Sequence, residues 1–306
     1  MSSETKPAIG FIGIGNMGWP MAACLVRAGF DVQVSDNRRT VADNFVQQVG
    51  GRVADSLRAM AGACDVIVTM LPTSAIVAHV LADAEDSILA AMRPGTVVIE
   101  MSSGLPAVTK ELAEKVAALG GVMIDAPVSG GVSRARTGQL AIMAGGEAGV
   151  IDQAMPVLSA MGSSVLRTGA VGSGQAMKAL NNLVSAGGFL IGIEALLIGQ
   201  RFGLDPAVMV DVLNAATGMT NSSQKKFKQF VLSRSFDSGF SLELLVKDLS
   251  IALQVGRETG TPTPFAGLCR ELAASASLML GSGADHTEFA KISEHLAGET
   301  LGGKGA

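Results

Sequence analysis

A doubly wound, parallel α/β sheet followed by an all-helical half is the architecture this sequence predicts. Three observations carry the prediction. Short apolar runs alternate with helical spacing over the first half of the chain, a glycine-rich turn joins the first run to the first helix, and only helical patterns follow residue 175. Ala8–Ile14 is an apolar strand that runs straight into that turn. Met17–Ala28 has helical spacing and stops at Gly29, a residue suited to ending a helix. Asp31–Ser35 is the second strand and ends at Asp36. Further strands are expected at Val66–Met70, Val97–Met101 and Val122–Asp125, with helices between them.

The pattern changes near residue 165, where Arg167–Gly174 reads as a loop. Residues 1–165 therefore form the expected sheet domain and residues 166–306 the helical one. A long helix, about 174–200, should open the second domain. Helical stretches follow around Pro206–Ala216, Gln224–Leu232, Leu242–Thr259 and Phe265–Leu280. Leu296–Ala306 is rich in glycine and is expected to fray.

Composition narrows the function. With 306 residues, 48% hydrophobic and 16% charged, the chain has material for two cores. A net charge of −4 without a Lys/Arg run argues against nucleic acid and acidic membranes as partners. Cys24, Cys64 and Cys269 are scattered, with no CxxC and no neighbouring His, which suits a reducing cytoplasm and argues against a disulfide framework or a metal site. Met1–Pro7 carries no apolar leader. Leu183–Leu197 is apolar but shorter than a membrane span and flanked by Lys178, Asn181, Asn182 and Glu194, so it reads as an all-round apolar helix buried in the protein.

Gly13-Ile-Gly15-Asn16-Met17-Gly18 sits between strand and helix, as a dinucleotide turn must. The first glycine makes the turn, the second admits the pyrophosphate, and the third lets helix and sheet pack closely. The helix N-terminus, Asn16 and Met17 included, would face the phosphates. Asp36 closes the second strand where a carboxylate accepts from ribose hydroxyls and repels a 2′-phosphate, which favours NAD. Asn37-Arg38-Arg39 follow at once and offer the alternative, a cradle for NADP.

Lys178 and Asn182 lie four apart on the expected long helix and so share a face. An alcohol dehydrogenation needs a base for the hydroxyl proton, and a lysine serves if burial and the positive nicotinamide lower its pKa. Asn182 would hold the substrate oxygen or a carboxylate; the bland reading of both is a solvated face. Ser129-Gly130-Gly131, after the last strand, would turn backbone N–H groups and a hydroxyl toward an anion, or form a bare turn. His79, His286 and His295 read as structural or solvent residues, with His286 placed to edge the site of a neighbouring subunit. Glu194 reads as a buried hydrogen-bonding residue of no assigned role.

Gly10–Ala22, Met70-Leu71-Pro72, Glu100–Ser103, Asp125–Gly131 with Ala135 and Gly138, Gly172–Asn182 and Lys247-Asp248-Leu249 occur in this order. Together they resemble the β-hydroxyacid dehydrogenase family, typified by 3-hydroxyisobutyrate dehydrogenase and tartronate semialdehyde reductase, over the chain to about residue 290. The resemblance implies a Rossmann domain, a long interdomain helix and an all-helical C-terminal domain, assembled as a homodimer or homotetramer. It implies NAD- or NADP-dependent interconversion of a small 3-hydroxy acid and its semialdehyde or keto acid. Lys178 would be the general acid/base, Asn182 a substrate ligand, and Ser129, Gly130 and Gly131 the carboxylate site. Leu71, Pro72 and Ser103 would line the cofactor, and Lys247 would reach its nicotinamide. Position 103 is Ser where Thr is frequent, and Thr217–Ser223, in the specificity region, matches no subfamily. Imine reductases share the architecture but typically replace the lysine. A dinucleotide-binding protein without catalysis is the alternative from another class.

Overall fold

The computed structural model describes residues 6–302. The chain divides into two compact units, Met1–Lys178 and Ala179–Ala306. The boundary read from sequence, at 165, falls inside a strand.

Among the described residues of the first unit, nine strands form one sheet: β1 Ile9–Ile12, β2 Val32–Ser35, β3 Arg52–Val53, β4 Val66–Thr69, β5 Val97–Glu100, β6 Val122–Asp125, β7 Val128–Ser129, β8 Leu140–Gly145 and β9 Gly162–Gly169. Their order is β3-β2-β1-β4-β5-β6-β8-β7, with β9 paired to β8. The run from β3 to β6 is parallel and doubly wound, as expected. The sheet then continues past the expected last strand. β8 meets β6 and β7 antiparallel and β9 in parallel. The segment read as a loop from Arg167 is therefore strand as far as Gly169, and the long helix begins at Ser173.

Strand alternation divides the apolar residues between two faces. Ile9, Phe11, Val66, Val68, Val97 and Ile99 pack on one face, while Ile12, Ile67, Val98 and Met123 pack on the other. Both faces are covered, so these strands read as continuous apolar runs. Fully burying a side chain such as Phe11 contributes about 2 kcal/mol.

The helix Ser173–Phe202 crosses from the first unit into the second. Within the second unit, Phe189, Ile193, Leu196 and Leu197 of this helix join Phe227, Leu249 and Phe289 in one core. It is not buried all round, however. Val184 is 76% exposed, Ile191 58% and Ile198 71%, so an apolar stripe faces outward at seven-residue spacing. At 30 residues the helix is also longer than the sequence suggested, and by length and composition it is long enough to cross a membrane; half of its most apolar stretch is buried. The other helical stretches appear as Pro206–Ala215, Asn221–Lys225 with a π-turn Phe227–Leu232, Leu242–Glu258, Pro264–Leu280 and Ala290–Ala297.

The expected fraying is not seen as far as residue 302. Leu301 is fully buried, its N–H donates to Glu294 at 3.0 Å, and Thr300 O accepts from Gln200 Nε2 at 3.0 Å. The rest of that expectation, at 303–306, and the reading of Met1–Thr5 lie outside the described residues.

Candidate active site

The glycine turn is built by contacts that exclude side chains. Gly13 has φ +96°, and a Cβ there would stand 2.3 Å from Met70 O. One on Gly18 would stand 1.8 Å from Gly13 O, so the helix start and the turn touch backbone to backbone. A Cβ on Gly15 would meet no protein atom within 4 Å, which leaves room there for a ligand. The helix Gly18–Arg27 begins without a side-chain cap, but Trp19 N–H donates to Gly15 O at 2.9 Å and Met21 N–H to Met17 O at 3.3 Å, so it is the glycine turn ahead of them that can present N–H groups to phosphate oxygens. Asn16 is exposed and Met17 half-buried beside them. These residues fit a dinucleotide pyrophosphate.

Asp36 lies just past β2, its carboxylate largely buried. Ile14 N–H donates to Oδ2 at 2.9 Å and Arg38 N–H to Oδ1 at 3.0 Å, so Asp36 also holds the glycine turn in place. Of the two arginines, Arg39 is turned away to Asp43 (3.3 Å) and to Ala54 O (3.0 Å). Arg38 is exposed and 3.7 Å from Asp36.

Leu71 follows β4, and its N–H donates to Ser102 Oγ at 2.8 Å. Pro72 is exposed beside it, and Ser103, just past β5, is half-buried. The structure thus ties two of the predicted cofactor-lining loops to each other. Ser129 ends β7 and Gly131 opens the short helix Gly131–Arg136. Gly130 and Gly131 hold φ +136° and +68°, conformations that side chains resist. A Cβ on Gly130 would press on Arg134 at 2.8 Å, whereas Gly131 faces open space.

Lys178 is half-buried, one helical turn beyond Gln175. Joined to Gln175 is a group of residues to which the sequence assigned no role. Glu100 and Asp125 end two adjacent strands and are partners in register. Glu100 is 2% exposed and Asp125 fully buried. Ser102 N–H donates to Glu100 Oε1 at 2.8 Å, and Gln175 Nε2 donates to Oε2. Asp125 accepts from Gly172 N–H at 2.7 Å and Gln175 N–H at 2.8 Å, which caps the start of the long helix. Burial pushes the Glu100 carboxyl up to about 7, against hydrogen bonds from Ser102 that favour its anion. Burial also raises Asp125, opposed by the N–H groups of Gly172 and Gln175. The available signal was an acid closing each of two otherwise apolar strands, Val-Val-Ile-Glu100 and Val-Met-Ile-Asp125.

In the second unit, Asn182 Nδ2 donates to Asp248 Oδ2 at 2.6 Å, and Lys247 Nζ stands 3.5 Å from Asp248 Oδ1. Asp248 is 1% exposed and so orients both predicted residues; its place between Lys247 and Leu249 in the sequence gives no sign of that role. One turn beyond Asn182, Ser185 Oγ accepts from Lys226 Nζ at 3.1 Å. Thr220 caps the next helix from within the specificity segment, with Ser222 and Ser223 buried. His286 is a structural clasp: its Nδ1 meets Ser238 Oγ at 2.9 Å and Phe240 O at 3.3 Å. Burial, reinforced by Lys226, lowers its pKa to about 4, so the ring is neutral. His79, His295 and Glu194 are exposed, which corrects the expectation of a buried Glu194.

Residues 8–170 match the family described as the NAD binding domain of 6-phosphogluconate dehydrogenase. Residues 172–293 match the one described as NAD-binding of NADP-dependent 3-hydroxyisobutyrate dehydrogenase. The 2-(hydroxymethyl)glutarate dehydrogenase of Eubacterium barkeri is 34% identical over 300 residues, 98% of this chain and 99% of that one. The mitochondrial 3-hydroxyisobutyrate dehydrogenase of Rattus norvegicus is 36% identical over 304 residues, 97% of this chain and 89% of that one. Among solved structures, the 3-hydroxyisobutyrate dehydrogenase of Mycobacterium tuberculosis with L-serine is 32% identical with a TM-score of 0.86, covering 95% of this chain and 99% of that one.

Proposed function

The chain belongs to the β-hydroxyacid dehydrogenase family, and from that premise we propose how its residues share the reaction. It is an NAD(P)-dependent oxidoreductase that acts on the CH–OH group of a small hydroxy acid. The dinucleotide supplies the hydride acceptor at its nicotinamide. Gly13, Gly15, Asn16, Met17 and Gly18 receive the pyrophosphate, Asp36 the ribose, and Leu71, Pro72 and Ser103 line the cofactor. Lys247 is assigned to the nicotinamide. Lys178 takes the hydroxyl proton as the carbinol carbon gives up its hydride, and returns it in the reverse direction. Ser129, Gly130 and Gly131 hold the substrate carboxylate through backbone N–H groups and the serine hydroxyl, and Asn182 orients the substrate oxygen.

The observation that carries this reading is Lys178 itself, half-buried one turn from the Gln175–Glu100 bridge. An imine reductase would be expected to replace it. Absorbance of reduced nicotinamide tests the reaction, with NAD or NADP and a panel of 3-hydroxyisobutyrate, 2-(hydroxymethyl)glutarate, 3-hydroxypropionate, glycerate, threonate and serine. Turnover on one member fixes the substrate. Lys178→Ala should then lose on the order of 10²–10⁴ in kcat, the ordinary worth of a general base. Turnover close to wild type in that variant would remove Lys178 from the mechanism, and cofactor binding with silence across the panel would favour a binding protein.

The same reading makes the protein a cytoplasmic homodimer or homotetramer. Three buried free thiols support a reducing compartment, and the exposed stripe Val184, Ile191 and Ile198 supports self-association. Cell fractionation and sedimentation are the respective tests.

A further inference from the structure

The buried network around Gln175 ties together the segments that carry three of the residues assigned to the reaction. The Gln175 carboxamide straddles Ser103: Nε2 donates to Ser102 O at 2.8 Å, and Oε1 accepts from Gly104 N–H at 2.7 Å. The same Nε2 donates to Glu100. Ser102, held by Glu100 through its N–H, in turn accepts from Leu71 N–H at 2.8 Å. Leu71 and Ser103 line the cofactor, and Lys178 lies three residues, about 4.5 Å of helix rise, beyond Gln175.

We propose that Gln175, clamped by Glu100 and by the backbone on both sides of Ser103, is a positioning residue that sets Lys178 against the cofactor-lining loops. This rests on the reading of Lys178 as the proton-transferring group. Asp125 caps the helix start and so fixes its position along the axis. Capping alone leaves rotation about the axis less constrained, and the Gln175 amide constrains it. A side-chain head stands ~5 Å from a helix axis, so a turn of ~10° moves it by roughly 1 Å. A displacement of that size at a reacting group costs on the order of 100-fold in rate. Burial of both Glu100 and Gln175, at 2% and 1% exposure, removes water as a substitute partner. A neutral Glu100 would also serve, because its carbonyl oxygen still accepts from Gln175. The clamp is thus compatible with the raised pKa of that carboxyl.

The test uses the full chain and compares Gln175→Leu, Gln175→Glu and the exchange Glu100→Gln with Gln175→Glu. Five quantities are read for each: kcat, substrate KM, NADH affinity and stoichiometry by fluorescence titration, and the primary deuterium isotope effect on kcat/KM. Gln175→Leu should lose roughly 10- to 100-fold in kcat per NADH-binding molecule. Substrate KM and NADH affinity should change by less than about threefold, and the isotope effect should rise as hydride transfer becomes limiting. A merely structural role would instead lower the fraction of molecules that bind NADH and leave kcat per binding molecule unchanged. Gln175→Glu removes the donor to Ser102 O and leaves two carboxyls that can pair only by sharing one proton, and should be impaired as well. The exchange variant lets the new amide at 100 donate to the carboxylate at 175, and should recover at least about fivefold over Gln175→Glu, although Ser102 O loses its donor. A kcat within twofold of wild type for either Gln175 variant, or no recovery in the exchange, would overturn the inference. If Gln175→Leu does not fold, the other two variants decide it. Near wild-type turnover of Lys178→Ala is a different failure, one that removes the underlying reading whatever Gln175 does.

Discussion

The Asp36 carboxylate is engaged before any ribose reaches it, since Ile14 N–H and Arg38 N–H each occupy one of its oxygens. Each oxygen keeps a second lone pair, and those are the sites open to ribose hydroxyls. The arginines that would hold a 2′-phosphate are unequal. Arg39 is committed to Asp43 and Ala54 O, which leaves the exposed Arg38 as the nearer candidate. Asp36→Asn is the cleaner probe, because it removes the charge and keeps one acceptor for the glycine turn. Removing the repulsion should reduce the NAD-to-NADP ratio of kcat/KM by about tenfold, equivalent to about 1.4 kcal/mol. Initial rates with both cofactors check it. A ratio unchanged from wild type would mean that discrimination lies elsewhere than in this carboxylate.

At the scale of elements, the long helix carries both the lysine and an unburied apolar stripe. Val184, Ile191 and Ile198 recur every seven residues, and Phe202 extends the line at 83% exposure. Such a stripe is costly to leave in water, at about 25 cal/mol per Å² of apolar surface. Ile191→Asp together with Ile198→Asp should shift the mass in sedimentation equilibrium toward that of one chain. Equal masses for wild type and variant would mean that this stripe is not the contact surface. The same helix shows what sequence can and cannot convey. Its apolar residues marked it clearly, but all-round apolarity does not distinguish burial against the protein's own core from burial against another copy. The strands divide in the same way. β1, β2, β4, β5 and β6 were legible because each is a covered apolar run bounded by turn residues. β9, Gly-Ser-Ser-Val-Leu-Arg-Thr-Gly, is mostly exposed and polar, so nothing in its composition separated it from a loop. Lys178, the glycine turn and Asp36 stand out as candidates in the sequence because their residue types and spacing are local. The Glu100–Gln175 bridge joins residues 75 apart, and only the register of β5 beside β6 and the docking of the helix start create it.

Across the whole molecule, two buried groups pull the pH dependence of stability in opposite directions, one in each unit. Glu100 rises from 4.5 to about 7 in the folded chain. Between those values the folded protein keeps a proton that the unfolded chain has lost, so stability falls as pH rises, by roughly 3 kcal/mol in all. His286 falls from 6.5 to about 4. Between those values the unfolded chain holds the extra proton, so stability rises with pH by a similar amount, roughly 3 kcal/mol. From pH 4.5 to 6.5 the two slopes oppose each other in wild type. Single substitutions separate them. Glu100→Gln leaves the His286 slope, so its stability relative to wild type should climb as pH goes from 4.5 to 6.5. His286→Gln leaves the Glu100 slope, so its stability relative to wild type should decline over the same range. Urea unfolding at pH 4.5, 5.5 and 6.5 measures both, and taking each variant against wild type cancels every group the substitution does not touch. Matching pH profiles for the two variants would show that burial does not hold these groups in the protonation states assigned to them.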